Sequence, residues 1–548
     1  MKFLYSKQNL HGPEKTIQRI FEILPGLISW TTLIGMTVLA FMKPLAAAII
    51  VIAFNLYWFL RLVYMTIFLV LSYIRLNIEK RTHWMKRIAI IDEILAARPS
   101  LPSTLKEYPK ASIFTSDYFF QKEIRNLKQS GNLPPSSKDI YHLVIYPIAK
   151  ESREIVEPGV KSLVQQQFPA ERILLVFALE ERAQEAVKSS VKALAQEYKN
   201  SFFDLLVIPH PNNMPGEARV KGANTTFAAK LAAQYFKDKG IPSEHIVVSC
   251  FDADTVVTPE YFSCLTYYFM ITPNRIRSSF QPIPVYHNNI WDVPGFARVM
   301  DSGSSFFQLI EATNPEKLVT FSSHSMSFQA LAEIGYWPVD MISDDSAIFW
   351  KAYLFYDGEY QVVPMYVTLS MDIVAENNWL RTAKSIYKQK RRWAWGVENF
   401  PIVMRGFLHS EKISFYNKFR HGFKLLEGYV AWASWSFLSS IIGWLPILFA
   451  GREFEHSVIY YNAPRISGTI FHLASLSLLI SIVVSLLLLP KTKIRYPWRI
   501  KILHAFEWLL VPVIFILLSA MPALDAQTRL MLGRHMEFWV TDKRRKNS

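Results

Sequence analysis

Val247-Val248-Ser249-Cys250-Phe251-Asp252-Ala253-Asp254-Thr255 is an apolar run that stops at two carboxylates one residue apart. Its length and β-branched content suit a central strand of a parallel sheet, and such sheets place ligand sites just beyond the carboxyl ends of their strands. Alternate residues of a straight strand share a face, so Asp252 and Asp254 are expected to converge on one hard divalent cation whose other positions go to phosphate oxygens and water. The ligand this implies is a metal-bound phosphate ester. The rival reading is a plain turn, with Asp254 capping the helix near Pro259.

Working outward, strands are expected at 141 to 147, 172 to 178, 203 to 208 and 245 to 251, with helices near 154 to 167, 182 to 199 and 217 to 237 between them. That alternation predicts an α/β domain with a parallel sheet and crossover helices. A second αβ-like stretch runs from Ser322 to Met371 and carries Ser343-Asp344-Asp345; Gln389-Lys390-Arg391-Arg392-Trp393 follows it.

On either side the chain turns apolar. The 548 residues are 51% hydrophobic with a mean hydropathy of +0.14, which points away from an ordinary soluble protein. The expected organisation is a cytosolic tail (1–26), a transmembrane hairpin (27–75), a linker (76–138), the α/β domain (139–380), a segment with interfacial amphipathic helices (381–426), a C-terminal membrane region (427–521) and a basic tail (522–548). Lys15 and Arg19 before the hairpin, and Arg75, Lys80, Arg81, Lys86 and Arg87 after it, put both of its ends in the cytoplasm. Apolar segments near 427–450, 466–489 and 502–521 leave four or five crossings open. The net charge of +15 accompanies no RNA-binding motif, so membrane lipid rather than nucleic acid is the expected partner. Cys250 and Cys264 form no metal-ligand pattern and read as reduced core residues.

With these motifs in order, the chain resembles the membrane-embedded family 2 glycosyltransferases, the group that includes cellulose and hyaluronan synthases. The family's D-x-D stands as Asp252-Ala253-Asp254, its acidic motif as Ser343-Asp344-Asp345 and its Q-x-x-R-W as Gln389-Lys390-Arg391-Arg392-Trp393. The resemblance implies a GT-A (Rossmann-like) fold, a nucleotide-sugar donor, usually a UDP-sugar, and Mg2+ or Mn2+ held by Asp254 with Asp252. It makes Asp345 the general base, places Glu151, Glu180 and Lys221 near the nucleotide, and assigns Asp344, Gln389, Arg391, Arg392 and Trp393 to the acceptor and diphosphate. Glu180 stands where many members carry Asp. The tail Glu537–Lys543 is similar to an F-x-V-T-x-K segment that gates some synthases, and equally fits an amphipathic terminus.

The implied activity is inverting transfer to a hydroxyl of a glycan or lipid acceptor on the cytosolic face of a bacterial plasma membrane. A second copy or an export partner is left open. Two other classes compete. Asp252-Ala253-Asp254-Thr255-Val256 matches the D-x-D-x-[TV] of haloacid-dehalogenase-type phosphatases, and an inactive membrane scaffold or export component would keep the sheet without chemistry.

Overall fold

The computed structural model describes residues 5–6, 10–96, 115–449, 458–490, 502, 506–536, 539 and 545. They fall into two compact units. The sheet unit comprises Ser72–Ile290, Glu311–Ile373 and Lys543–Ser548; the helical unit comprises Met1–Leu71, Trp291–Ile310 and Val374–Asp542.

In the sheet unit, β1 (Tyr141–Ile148), β2 (Ile173–Glu180), β3 (Asp204–His210) and β4 (Ile246–Cys250) are joined by the helices Arg153–Val164, Glu185–Tyr198 and Lys221–Asp238. These four strands lie parallel in the order β3-β2-β1-β4. β1, β2 and β4 are buried nearly throughout, as strands covered by helices on both faces must be. The α/β expectation stands, and element boundaries fall within a few residues of those read from the sequence.

The second half of the sheet was not read strand by strand. β5 (Val256–Val257), β6 (Ser278–Val285), β7 (Ser325–Ser327) and β8 (Gln361–Ser370) extend it to eight strands ordered β3-β2-β1-β4-β7-β6-β8-β5. Short β7 runs antiparallel to both β4 and β6, so the parallel half passes into a mixed half beside β4. The result is one mixed sheet, parallel in its first half. The stretch read as a linker carries two helices, Trp84–Ala96 and Ser116–Ser130. Trp84, 2% exposed, packs against Tyr267 and Tyr268 of the wholly buried helix Tyr261–Ile271.

Among the described residues, the helical unit holds or shares four helices long and apolar enough to cross a membrane: Gly12–Met42, Pro44–Glu79, Gly468–Leu488 and Trp508–Met531. A fifth candidate is the pair Phe415–Ser440 and Ile442–Leu448, bent by 43°. The last part of the 381–426 segment, expected to be an interfacial amphipathic helix, is therefore not a separate one. Ser414 caps it by accepting from the backbone N–H of Asn417, and the helix then runs unbroken into the apolar segment. Lys491, Lys493, Arg495, Arg499 and Lys501, and most of the 537–548 tail, lie outside the described residues.

Candidate active site

β4 ends at Cys250, so Asp252 and Asp254 lie beyond the strand, with Ala253 and Asp254 in a turn. The expected strand alternation does not govern them, and their side chains meet different neighbours. Asp252 accepts from the Lys221 ammonium at 2.9 Å and from the Ser322 hydroxyl. Asp254 is fully buried, and its Oδ2 accepts from the backbone N–H of Asp372 at 2.7 Å. The capping role is excluded, because the next helix starts after Glu260 and has no side-chain cap.

Lys221 organises the site. It is the first residue of the helix Lys221–Asp238, and its Nζ lies 2.9 Å from Asp252 Oδ1 and 2.9 Å from Asp345 Oδ1. Three candidate residues, widely separated in sequence, thus meet with two carboxylates no farther apart than two such contacts. Burial alone would lower the Lys221 ammonium, but Asp252 and Asp345 outweigh it and hold the group well above its ordinary value.

Close packing fixes this meeting. A Cβ on Gly222 would stand 2.3 Å from the carbonyl oxygen of Pro338 and 3.2 Å from Asp344 Cβ, so only glycine lets the helix start lie against the acidic motif. Asn224, one turn on, donates to the carbonyl of Ala178 at 2.7 Å and ties the helix to β2. Asp344 and Asp345 open the helix Asp344–Phe355, where the N-terminal dipole favours negative charge. Asp344 is buried, whereas the Asp345 side chain is 26% exposed and so can meet a substrate.

His324 lies close by, its Nδ1 3.9 Å from Asp345 Oδ1. Its Nδ1 donates to the carbonyl of Phe321 at 3.1 Å, and burial lowers the imidazole to about 4, keeping it neutral. Glu151 accepts from the backbone N–H groups of Ala149 and Lys150, ordering the loop after β1. Glu180 ends β2 and pairs with Arg182. Cys250 and Cys264 are buried free thiols, and burial raises both.

Sequence reasoning missed three participants. Ser322 is read only as the start of the second αβ-like stretch, Asp372 follows β8 without a motif, and Arg545 reads only as tail charge. Arg545 forms an ion pair with Asp372 at 2.9 Å and donates to the carbonyls of Asp254 at 3.3 Å and Glu154 at 3.4 Å. The polybasic run containing Arg545 was the one available signal.

The third motif, Gln389–Trp393, belongs to the helical unit, on the helix Trp379–Ala394. Arg391 is engaged with Asp525 at 2.8 Å rather than free for a ligand, and Gln389 is buried. Lys390 pairs with Asp301 at 2.7 Å, and its ammonium lies 3.7 Å from the centroid of the Trp393 ring. Arg392 is partly exposed on the same helix.

A divalent cation can be tested against these residues. Among the described residues no group of three or more His, Cys, Asp or Glu side chains could hold a metal by itself. Asp252 and Asp254 supply hard oxygen donors, and Lys221 brings one positive charge against two carboxylates. Those donors fit a Mg2+ or Mn2+ ion that takes most of its shell from a phosphate-bearing substrate and water.

Two curated poly-β-1,6-N-acetyl-D-glucosamine synthases of Staphylococcus epidermidis are 36% identical to this chain over 90 residues, 16% of this chain. The match spans only 19% of the length of those relatives. No family model matches the chain. Among solved structures, the mannosyltransferase PcManGT from Pyrobaculum calidifontis, in complex with GDP-Man and Mn2+, is 12% identical with a TM-score of 0.36, covering 78% of this chain and 99% of that one. S. aureus TarS 1-349 in complex with UDP-GlcNAc is 12% identical with a TM-score of 0.35, covering 74% and 95%. Over the matched segment the chain is homologous to the glucosamine-polymer synthases, and the family 2 glycosyltransferase resemblance read from the motifs stands. The phosphatase reading does not: Asp252 follows the fourth strand of the parallel half, whereas that family's nucleophile follows the first strand of its core.

Proposed function

We propose that the chain is an inverting, metal-dependent family 2 glycosyltransferase. It moves a hexosyl group from a nucleotide-diphosphate sugar to a hydroxyl of a glycan or lipid acceptor. The observation that carries the reading is Lys221, 2.9 Å from both the donor-side acid Asp252 and the base Asp345. The S. epidermidis relatives make UDP-N-acetylglucosamine the first donor to test.

The roles follow from charge. Breaking a glycosyl-diphosphate bond leaves negative charge on the departing phosphate, and Lys221 stands at the rim of β4 to receive part of it. When bound, a cation held by Asp254 and Asp252 would supply further neutralisation of that leaving group. Asp345 takes the proton of the acceptor hydroxyl, because a neutral hydroxyl is a weak nucleophile. A base on the face opposite the leaving group gives inversion at the anomeric carbon. Glu151 and Glu180 bind the nucleoside, and Arg392 and Trp393 contact the diphosphate and acceptor. The basic ends of the N-terminal hairpin support a sheet unit on the cytosolic face, here of a bacterial inner membrane.

Purified protein in native lipid, given UDP-N-acetylglucosamine and Mn2+, should release UDP and form a glycosylated product; a ladder marks a polymer and one species marks single addition. Hydrolysis of a phosphomonoester that needs Asp252, with every nucleotide-sugar left intact, would overturn the proposal.

A further inference from the structure

A cleft of about 660 Å³ opens in the sheet unit and shares no lining residue with the carboxylate site. It lies between the last turns of the helix Pro44–Glu79, the helix Trp84–Ala96 and the first turn of the helix Ser116–Ser130. Its lining combines the apolar Ile74, Ile78, Ile90 and Phe120 with Arg81, Lys86, Arg87 and the Ser116 hydroxyl.

These three cations are held differently. The Arg87 side chain is 7% exposed, donates to Ser116 Oγ, and lies 3.8 Å from Glu79, 3.7 Å from Asp117 and 4.9 Å over the Phe120 ring. Arg81 and Lys86 are exposed, and their side chains form no hydrogen bond or ion pair among the described residues. Two uncompensated cations therefore flank a fixed, largely buried third. An anion entering the cleft would meet Arg81, Lys86 and a hydroxyl while its apolar part lay along Ile78 and Ile90.

The position of the cleft narrows the ligand. The helix Pro44–Glu79 has 36 residues and is about 54 Å long at ~1.5 Å per residue, whereas hydrocarbon about 30 Å thick needs only ~20 residues. Its final turns, from Ile74 onward, thus stand at headgroup level or beyond on the basic side. We infer that this cleft binds the phosphate headgroup of an anionic glycerophospholipid, with the first acyl carbons against its isoleucines. Pockets of roughly 300–1,000 Å³ suit ligands of that size.

The test uses the full chain in mild detergent, with bound lipid counted by native mass spectrometry after addition of phosphatidylglycerol or phosphatidylcholine. Wild type should retain phosphatidylglycerol in preference. The double variant Arg81→Ala/Lys86→Ala removes two exposed, unpaired side chains and should bind it at least about tenfold more weakly, since each cation near a membrane surface contributes about 1 kcal/mol. Lys192→Ala/Lys237→Ala removes equal charge from exposed positions on the sheet unit's crossover helices, outside the cleft, and should leave retention unchanged. Equal retention of the two lipids, or equal losses in the two double variants, would overturn the inference. So would inorganic phosphate alone, at millimolar concentration, displacing the lipid completely, because the cleft would then take a soluble phosphate.

Discussion

The lysine–carboxylate clusters around Lys221 and Lys390 differ in water access and stoichiometry. In the sheet unit, the Lys221, Asp252 and Asp345 side chains are 10%, 31% and 26% exposed, and one ammonium faces two carboxylates. In the helical unit, Lys390 and Asp301 are each 2% exposed and pair one to one. At Lys390 burial prevails over its single partner and lowers the ammonium, whereas at Lys221 two carboxylates prevail over burial and raise it. An open cluster with surplus negative charge can exchange its internal contacts for a cation and a polar substrate. A dry, balanced pair holds helices together and leaves little capacity for a ligand.

The sharpest way to break this contrast is to neutralise each cluster and ask what is lost. Asp345→Asn should lower glycosyl transfer by about a thousandfold, within the range for removing a general base, while the melting temperature stays near wild type. Lys390→Met should do the reverse in kind: it leaves Asp301 buried without its cation, costing about 3–5 kcal/mol of stability, read by denaturant unfolding in detergent. Transfer measured on the fraction that remains folded should be far less affected than in Asp345→Asn.

Gly222→Ala tests whether the open cluster depends on close packing. The added methyl must displace the Pro338 carbonyl or the helix start, and a shift of about 1 Å at Lys221 should cost roughly a hundredfold in rate. The smallest effect is a pH dependence. The unfolded chain protonates His324 near pH ~6.5, but the folded protein does so only near 4. The unfolded state therefore binds more protons between those values, and stability falls as pH drops through that window. His142, lowered by burial to about 3, adds the same sign. Melting temperatures should decline from pH 7 to pH 5, and His324→Asn should remove about 1–2 kcal/mol of that decline.

Much of the sheet unit was legible because its first half obeys simple rules. β1, β2 and β4 are short apolar runs separated by helices of ordinary length, so periodicity alone locates them. β6 resisted for a physical reason: Pro282 and Pro284 lack the N–H that a ladder needs, and such a segment reads as an edge or a loop. It lies between β7 and β8 nonetheless, with the irregularity absorbed where its pairing to β8 shifts register between Gln281 and Ile283. β7 has only three residues, too few to show a period.

The site divides in the same way. Asp252, Asp345 and Lys221 were readable from motif order, and their convergence is what the fold supplies. The direction of Asp254 was not readable, because it depends on β4 ending at Cys250 and on the backbone N–H of Asp372, far along the chain. Ser322 and Arg545 carry no spacing signal, since each acts through a contact made only after β7, β8 and the tail are in place. At Gln389 and Arg391 the motif records residue types alone, while the ion pair of Arg391 with Asp525 and the burial of Gln389 come from the fold.

The most direct test measures UDP release and sugar incorporation from UDP-N-acetylglucosamine by wild type, Asp345→Asn and Lys221→Met, with Mn2+ and native lipid and with folding verified for each. The account predicts turnover by wild type and loss of at least about a hundredfold in both variants. Turnover by Asp345→Asn at the wild-type rate would contradict it.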